Sequence, residues 1–154
     1  MNNIISIKND ISETLQSTSF AVLATENDGQ PHASLIAFTP MDSYRKLIFA
    51  TYRSTRKFQN MTQNNRVAVL IEGGDASRSG LEEGFVLTAF GQAEEIRVTE
   101  NEAALRAHLE KHPDMETFLL TADCALVCVT VDSYQVVRGI DDVRWWTIRE
   151  LNAT

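Results

Sequence analysis

The chain is poor in the residues that carry several common chemistries. Only two cysteines occur in its 154 residues, Cys124 and Cys128. They do not form a CxxC pair, and on a strand they share one face four residues apart, too far for an easy bridge. The reading is two buried free thiols in a reducing compartment, with no disulfide framework. Its three histidines, His32, His108 and His112, stand at no ligand spacing from cysteines or acids, so no metal set forms. His108 lies in a polar helical stretch and reads as solvated; His32 reads as a surface or packing residue. Neither GxGxxG nor GxxxxGKS/T occurs, which removes the glycine-rich nucleotide loops, and no GxSxG elbow marks a serine nucleophile. The longest unbroken apolar run is six residues, 124–129, too short to span a bilayer as a helix. The opening residues, MNNIISIKND, have neither the basic start nor the apolar stretch of a secretory signal. The expectation is a cytoplasmic protein that does not engage membranes.

Basic residues are also in deficit, 14 against 21 acidic ones, for a formal net charge of -7. That is the wrong balance for a general nucleic-acid binder, whose affinity comes from neutralising phosphates. Yet Arg45, Lys46, Arg53, Arg56, Lys57 and Arg66 crowd into one short stretch. They form either a solvated basic face or a pocket for a small anion. Length suits one domain, and a hydrophobic content of 44% is enough to fold without disulfide or metal.

Apolar residues Ile4, Ile7, Ile11 and Leu15 recur at three- and four-residue spacing, which predicts a helix over 3–17. Strands are expected at 19–26, 30–39, 46–52, 66–72, 84–97, 124–138 and 142–150. Asn27-Asp28-Gly29 signals a hairpin between the first two. Gly91 marks a bend or bulge, and a turn near Gly139 joins the last two strands. A helix over 55–63 takes Ser54 as its expected N-cap. Thr99 and Glu102 predict a capping box for a helix reaching residue 110, and Pro113 opens a short helix to residue 120. Gly73-Gly74-Asp75 opens a polar loop that includes Glu82 and Glu83. Trp145 and Trp146 point to opposite faces of their strand, one into the core, the other free for a dimer interface. Strands cluster rather than alternate with helices. This predicts an α+β protein with an antiparallel barrel or sheet and peripheral helices.

Chemistry concentrates in 49–71, FATYRSTRKFQNMTQNNRVAVLI. A strand ends, a Ser/Thr turn follows, and a helix begins with Arg56 and Lys57 in its first turn. Cations there oppose the helix dipole by roughly 0.3–1 kcal/mol each. The placement makes sense if an anion sits among free amides, the hydroxyls of Thr51, Ser54 and Thr55, and the two cations. From spacing alone, a capped helix with two solvated cations is the competing reading.

This segment resembles the core motif of the pyridoxamine-5′-phosphate-oxidase-like FMN-binding split β-barrels. FATYRSTRK matches the aromatic-x-Thr strand end and Ser/Thr-Arg-Lys helix start of that family, and NNRVAVLI its Asn-x-Arg-Val strand. LATENDGQPHASLIAF (23–38) fits the upstream hairpin, and TAFGQAEEI (88–96) the Gly-x-Ala strand. The resemblance, over about residues 19–138, implies a homodimer binding flavin mononucleotide (FMN) at its interface. It also implies flavin-dependent redox chemistry on a small-molecule substrate. Ala33, Ser34, Leu35 and Ile36 would lie along the flavin ring, mainly through backbone groups. Ala50 and Thr51 would line the ring and ribityl chain, and Thr55, Arg56 and Lys57 would bind the phosphate. In the true oxidases a Gln contacts flavin from the strand matching 86–91, where this chain has Val86. A Trp near the C-terminal strand becomes Val137. Their Arg-x-His substrate motif has no counterpart, since Arg144-Trp145-Trp146 lacks the His. The resemblance therefore implies a flavin site without the vitamin-phosphate substrate. Related barrels that use haem or a deazaflavin, and non-enzymatic flavin-binding modules, remain the alternatives.

Overall fold

The computed structural model describes residues 4–73 and 85–153. Its strands are β1 (Phe20–Asn27), β2 (Gln30–Met41), β3 (Lys46–Tyr52), β4 (Arg66–Gly73), β5 (Phe85–Ile96), β6 (Cys124–Gly139) and β7 (Asp142–Thr147). Its α-helices, among the described residues, are α1 (Ile4–Ser17), α2 (Arg56–Gln63), α3 (Glu102–Lys111), α4 (Glu116–Leu119) and α5 (Ile148–Leu151). The strand order is β3-β2-β1-β4-β5-β6-β7, and β3 pairs again with β6. Six antiparallel strands thus close a barrel. The sixth splits its loyalty: the first half of β6 pairs with β3, the second half with β7, and β5 runs beside both. This is an α+β split barrel with peripheral helices.

The expected signals explain most of the elements. Asp28 and Gly29 both take positive φ at the β1–β2 turn, as a two-residue hairpin requires. Ile7, Ile11 and Leu15 of α1 are fully enclosed against the barrel core. The apolar run of β6 lacks period-two alternation because both of its faces are covered. Val127 and Val129 face the barrel interior, while Leu126 and Cys128 pack outward with Ile48 under Ala104 of α3. Both thiols are free, Cys128 buried and Cys124 half-buried.

The outer face of the sheet has a different character. In register across six strands stand Leu35, Val22, Leu70, Thr88, Gln135 and Trp145. One row over come Ala33, Ala24, Ala68, Phe90, Ser133 and Thr147. The second row is flat save for Phe90, whose ring stacks on Trp145 at 5.0 Å. Trp146, pointing the other way, packs on the core.

Four expectations need correction. Thr55, not Ser54, caps α2: its hydroxyl accepts the Phe58 amide, while Ser54 donates to Asp123. The Thr99–Glu102 capping box does not form. Thr99 lies inside a 3₁₀ turn, Val98–Glu100, and α3 starts at Glu102, with the Asn101 side chain before it donating to the Arg97 carbonyl. A capping box appears instead at Thr147 and Glu150, which ends β7 at 147 and starts α5 where strand was expected to continue. His108 is not solvated but fully enclosed, its Nδ1 2.8 Å from the Thr39 hydroxyl. The polar loop with Glu82 and Glu83 lies outside the described residues.

The strand register shifts between Phe90 and Gly91. A Cβ at position 91 would run into the backbone carbonyl of Thr130, atoms that cannot move without breaking the ladder. Gly91→Ala should therefore lower stability by about 1–3 kcal/mol, read as a drop in the urea midpoint. An unchanged midpoint would mean that the bulge does not need glycine.

Candidate functional site

A cavity of about 320 Å³ opens where β2, the end of β3, the start of α2 and the α3–α4 segment meet. Of the nine residues singled out from the sequence, six line it: Leu35, Ile36, Ala50, Thr51, Thr55 and Lys57. The other three do not. Strand alternation carries Ser34 inward, where its hydroxyl is enclosed without a partner. Ala33 shares the outer face with Leu35 but lies further along the strand, and Arg56 is exposed on the first turn of α2.

Sequence reasoning missed Phe20, Ala37, Tyr52, Met115 and Phe118, which complete the lining. Tyr52 was inside the motif, next to Thr51, and its ring meets Phe118 at 4.4 Å between centroids. Met115 and Phe118 carry no local signal. They reach the cavity only because α3 and the turn after it fold back over the barrel.

The polar end of the cavity is tightly organised. Thr55 Oγ1 donates to the Tyr52 carbonyl at 2.9 Å, accepts the Phe58 amide at 3.3 Å and sits 3.0 Å from Thr51 Oγ1. The amides of Arg56 and Lys57, at the first two positions of α2, have no carbonyl within the helix to bond. Lys57 lies half-buried beside them, and burial pushes its ammonium pKa down, with no acidic partner among the described residues to offset the loss of water. A half-buried cation at a helix start is a place for an anion.

Two other cations of the basic stretch are committed elsewhere. Arg53 pairs with Glu95 and donates to the Ala122 carbonyl at 3.0 Å. Arg45 reaches Asp42 and Asn152. The stretch is therefore neither one solvated face nor one pocket: a single member, Lys57, lines the cavity.

The aromatic wall is held by an unusual helix. From α3, His108 meets Thr39, and His112 Nε2 lies 2.7 Å from the Phe38 carbonyl. Lys111 sits over the Phe38 ring at 4.1 Å and donates to the carbonyls of Leu15 and Thr18 at 2.9 and 2.7 Å, closing the C-terminal end of α1. Burial first, then the neighbouring charges of His112 and Lys111, lowers the His108 pKa to about 4. Burial lowers that of Lys111 to about 8.

Among the described residues, no cluster of three or more His, Cys, Asp or Glu could hold a metal ion, and no helix is long and apolar enough to cross a membrane. His32 is turned to the barrel side, opposite Thr25, and does not line the cavity.

Residues 7–135 match the model of the pyridoxamine 5′-phosphate oxidase family, and the chain belongs to that family. No curated protein matches it. Among similar solved structures is a heme binding protein from Mycobacterium smegmatis, 19% identical, with a TM-score of 0.82 over 98% of this chain and 60% of that one. This chain thus spans less than two thirds of that protein's length. General Stress Protein 26 from Bacillus anthracis is 19% identical, with a TM-score of 0.69 over 92% of this chain and 98% of that one. An FAD-binding protein from Mesorhizobium loti is 21% identical, with a TM-score of 0.65 over 83% and 91%. At these identities the likeness is one of fold.

The capping geometry gives a direct test. Thr55→Ala should cost about 0.5–2 kcal/mol of stability, whereas Ser54→Ala, at an exposed site, should stay within about 0.5 kcal/mol. Chemical denaturation of both variants checks this, and equal losses would return the cap to Ser54.

Proposed function

We propose that the chain binds FMN in this cavity and serves as a flavin-dependent oxidoreductase on a small molecule. One observation carries the reading. The cavity joins a half-buried cation at a helix start, without an acidic partner among the described residues, to a floor of small and apolar residues. Lys57 and the first amides of α2 would hold the phosphate, with Arg56 free to swing onto its outer side. Thr51 and Ala50 would border the ribityl chain and ring. Leu35 and Ile36 would offer their strand backbone to the ring edge, with Ala33 and Ser34 continuing that edge. The flavin, when bound, supplies hydride or electron transfer at its reactive nitrogen. The chain's own residues orient it and keep water from one face.

The site is incomplete in one copy. Small-molecule pockets run from about 300 to 1,000 Å³, so about 320 Å³ is the lower edge for a flavin. Two lining residues, Phe20 and Leu35, are 57% and 66% exposed. The apolar face continues to Trp145, itself 55% exposed. A twofold partner laid on this face would cover the row and supply the missing wall. Sedimentation equilibrium at micromolar concentration should give a homodimer, and Trp145→Arg should shift it toward monomer. A monomer that still binds FMN tightly would refute the pairing.

Vitamin phosphates are a poor match as substrate. Val86 and Val137, where the oxidases place Gln and Trp, are direct cross-strand partners, and they make an apolar patch rather than a polar grip. Aerobic formation of pyridoxal phosphate should be slow or absent. Steady-state turnover with NADH or NADPH and an acceptor separates an enzyme from a module that only stores flavin.

Haem is the second reading, favoured by the haem-binding neighbour. Among the described residues the cavity lining holds Tyr52 and Met115 of the usual haem-ligand types, and neither His nor Cys. The visible spectrum of the purified protein distinguishes flavin, deazaflavin and haem.

Fluorescence titration with FMN and riboflavin tests the phosphate site. A charge-assisted bond is worth about 1.5–3 kcal/mol, so Lys57→Ala should weaken FMN binding by roughly ten- to a hundredfold and riboflavin binding little. Arg56→Ala should lose less, and Arg106→Ala, on α3, nothing. Full retention of the FMN preference in Lys57→Ala would move the phosphate elsewhere.

A further inference from the structure

We propose that α3 is an acid-released latch on the cavity wall: above pH 6.5 it clamps the segment carrying Met115 and Phe118 onto the barrel, and protonation of His108 lets that segment swing out and open the cavity. The geometry is specific. His108, Lys111 and His112 occupy little more than one turn, and all three project into the fold rather than into water. The rings of His108 and His112 lie 4.9 Å apart. The helix then passes directly through Pro113–Met115 into α4, so its seating decides where Met115 and Phe118 stand.

Among the described residues no carboxylate balances the burial of His108. From its own helix His108 feels only the charges of Lys111 and His112. From β2 it meets the Thr39 hydroxyl, and its neighbour His112 meets the Phe38 carbonyl. From the end of α1 and the residue after it come the carbonyls of Leu15 and Thr18, already taken by Lys111. At the start of the helix Glu100 and Glu102 share a separate hollow of about 300 Å³ with Lys46 of β3, and Glu110, on the helix itself, is exposed to solvent. After the helix, Asp114 and Glu116 are exposed. Nε2 of His108 is enclosed without any partner. The imidazolium would therefore place a second N–H against nothing, with the Lys111 ammonium on the next turn and the His112 ring beside it.

The direction follows from linkage. The seated helix holds His108 at about 4, against roughly 6.5 when released into water. Seating is undiminished above pH 6.5 and is lost as pH falls toward 4, by on the order of a hundredfold in the seating equilibrium across that window. Lys111, lowered only to about 8, is charged in both states throughout the window and adds no slope.

The chain's four methionines provide the reporters. In protein labelled with ¹³C at the methionine methyls, the Met115 resonance should shift or broaden between pH 6.5 and 4. Met61, buried in the barrel core, should hold its position over the same range. His108→Asn, which keeps a partner for Thr39 but cannot titrate, should abolish the Met115 transition. Thr39→Val, which removes the partner of neutral His108, should move the transition to higher pH. The latch is refuted if Met115 and Met61 change together, which is global unfolding, or if Met115 stays still down to the pH of unfolding. A His108→Asn transition at the natural midpoint refutes it as well. No outcome depends on which cofactor the cavity takes.

Discussion

Seven residue pairs, from Lys46 opposite Thr130 to Tyr52 opposite Cys124, zip β3 to β6 and close the barrel. The last three pairs hold Ala50, Thr51 and Tyr52, the strand end from which the cavity hangs. The turn beyond is tied to the same place: the Arg53 amide donates to the Asp123 carbonyl at 2.9 Å, and the Ser54 hydroxyl to the Asp123 carboxylate at 3.0 Å. The start of α2 is thus fixed by residues some seventy positions away. Loosening the ladder would move the Thr51–Thr55 pair, the first amides of α2 and Lys57 together.

Closure also sorts the surface into unlike halves. On the β3–β6 side, α3 covers the outer face, so Ile48, Leu126 and Cys128 are buried from both directions. The row that runs from Leu35 of β2 to Trp145 of β7, largely apolar, is instead left open to solvent. The asymmetry explains how one small barrel can be well packed and still carry exposed aromatics of the kind that mark an interaction face.

Most of the fold was legible because the deciding signals are local. The 3–17 periodicity, the Asp-Gly hairpin and the Gly91 bulge each follow from a few adjacent residues, and each is present. The errors have local causes too. Thr-x-x-Glu occurs twice, at 99–102 and 147–150, and only the second forms a box; a 3₁₀ turn claims the first. Ser54 and Thr55 compete for one cap, and Asp123, distant in sequence, draws Ser54 away. His108 looked polar among polar neighbours, yet it faces Thr39 from sixty-nine residues off. Of the cavity, the strand and helix-start residues could be read from the motif. Met115 and Phe118 could not, since nothing in 113–120 announces what α3 will fold against. The basic stretch was legible as a cluster but not as a division of labour, because Glu95 and Asp42, which occupy Arg53 and Arg45, are visible only in three dimensions.

The hydroxyl of Thr55 has every bond it can make before any ligand arrives: one proton given to Tyr52, one received from Phe58, and Thr51 alongside. These bonds hold the turn in shape. A turn saturated in this way needs no rearrangement to receive an anion, so the ordering entropy of that end is already spent in folding. Such preorganisation has a kinetic side. Arrival of a ligand's charged end should approach a simple diffusional encounter, and the slower adjustments should fall to the apolar end, where the wall is carried by α3 and α4. The cavity would then work as a rigid socket for one part of its guest and a compliant one for the other.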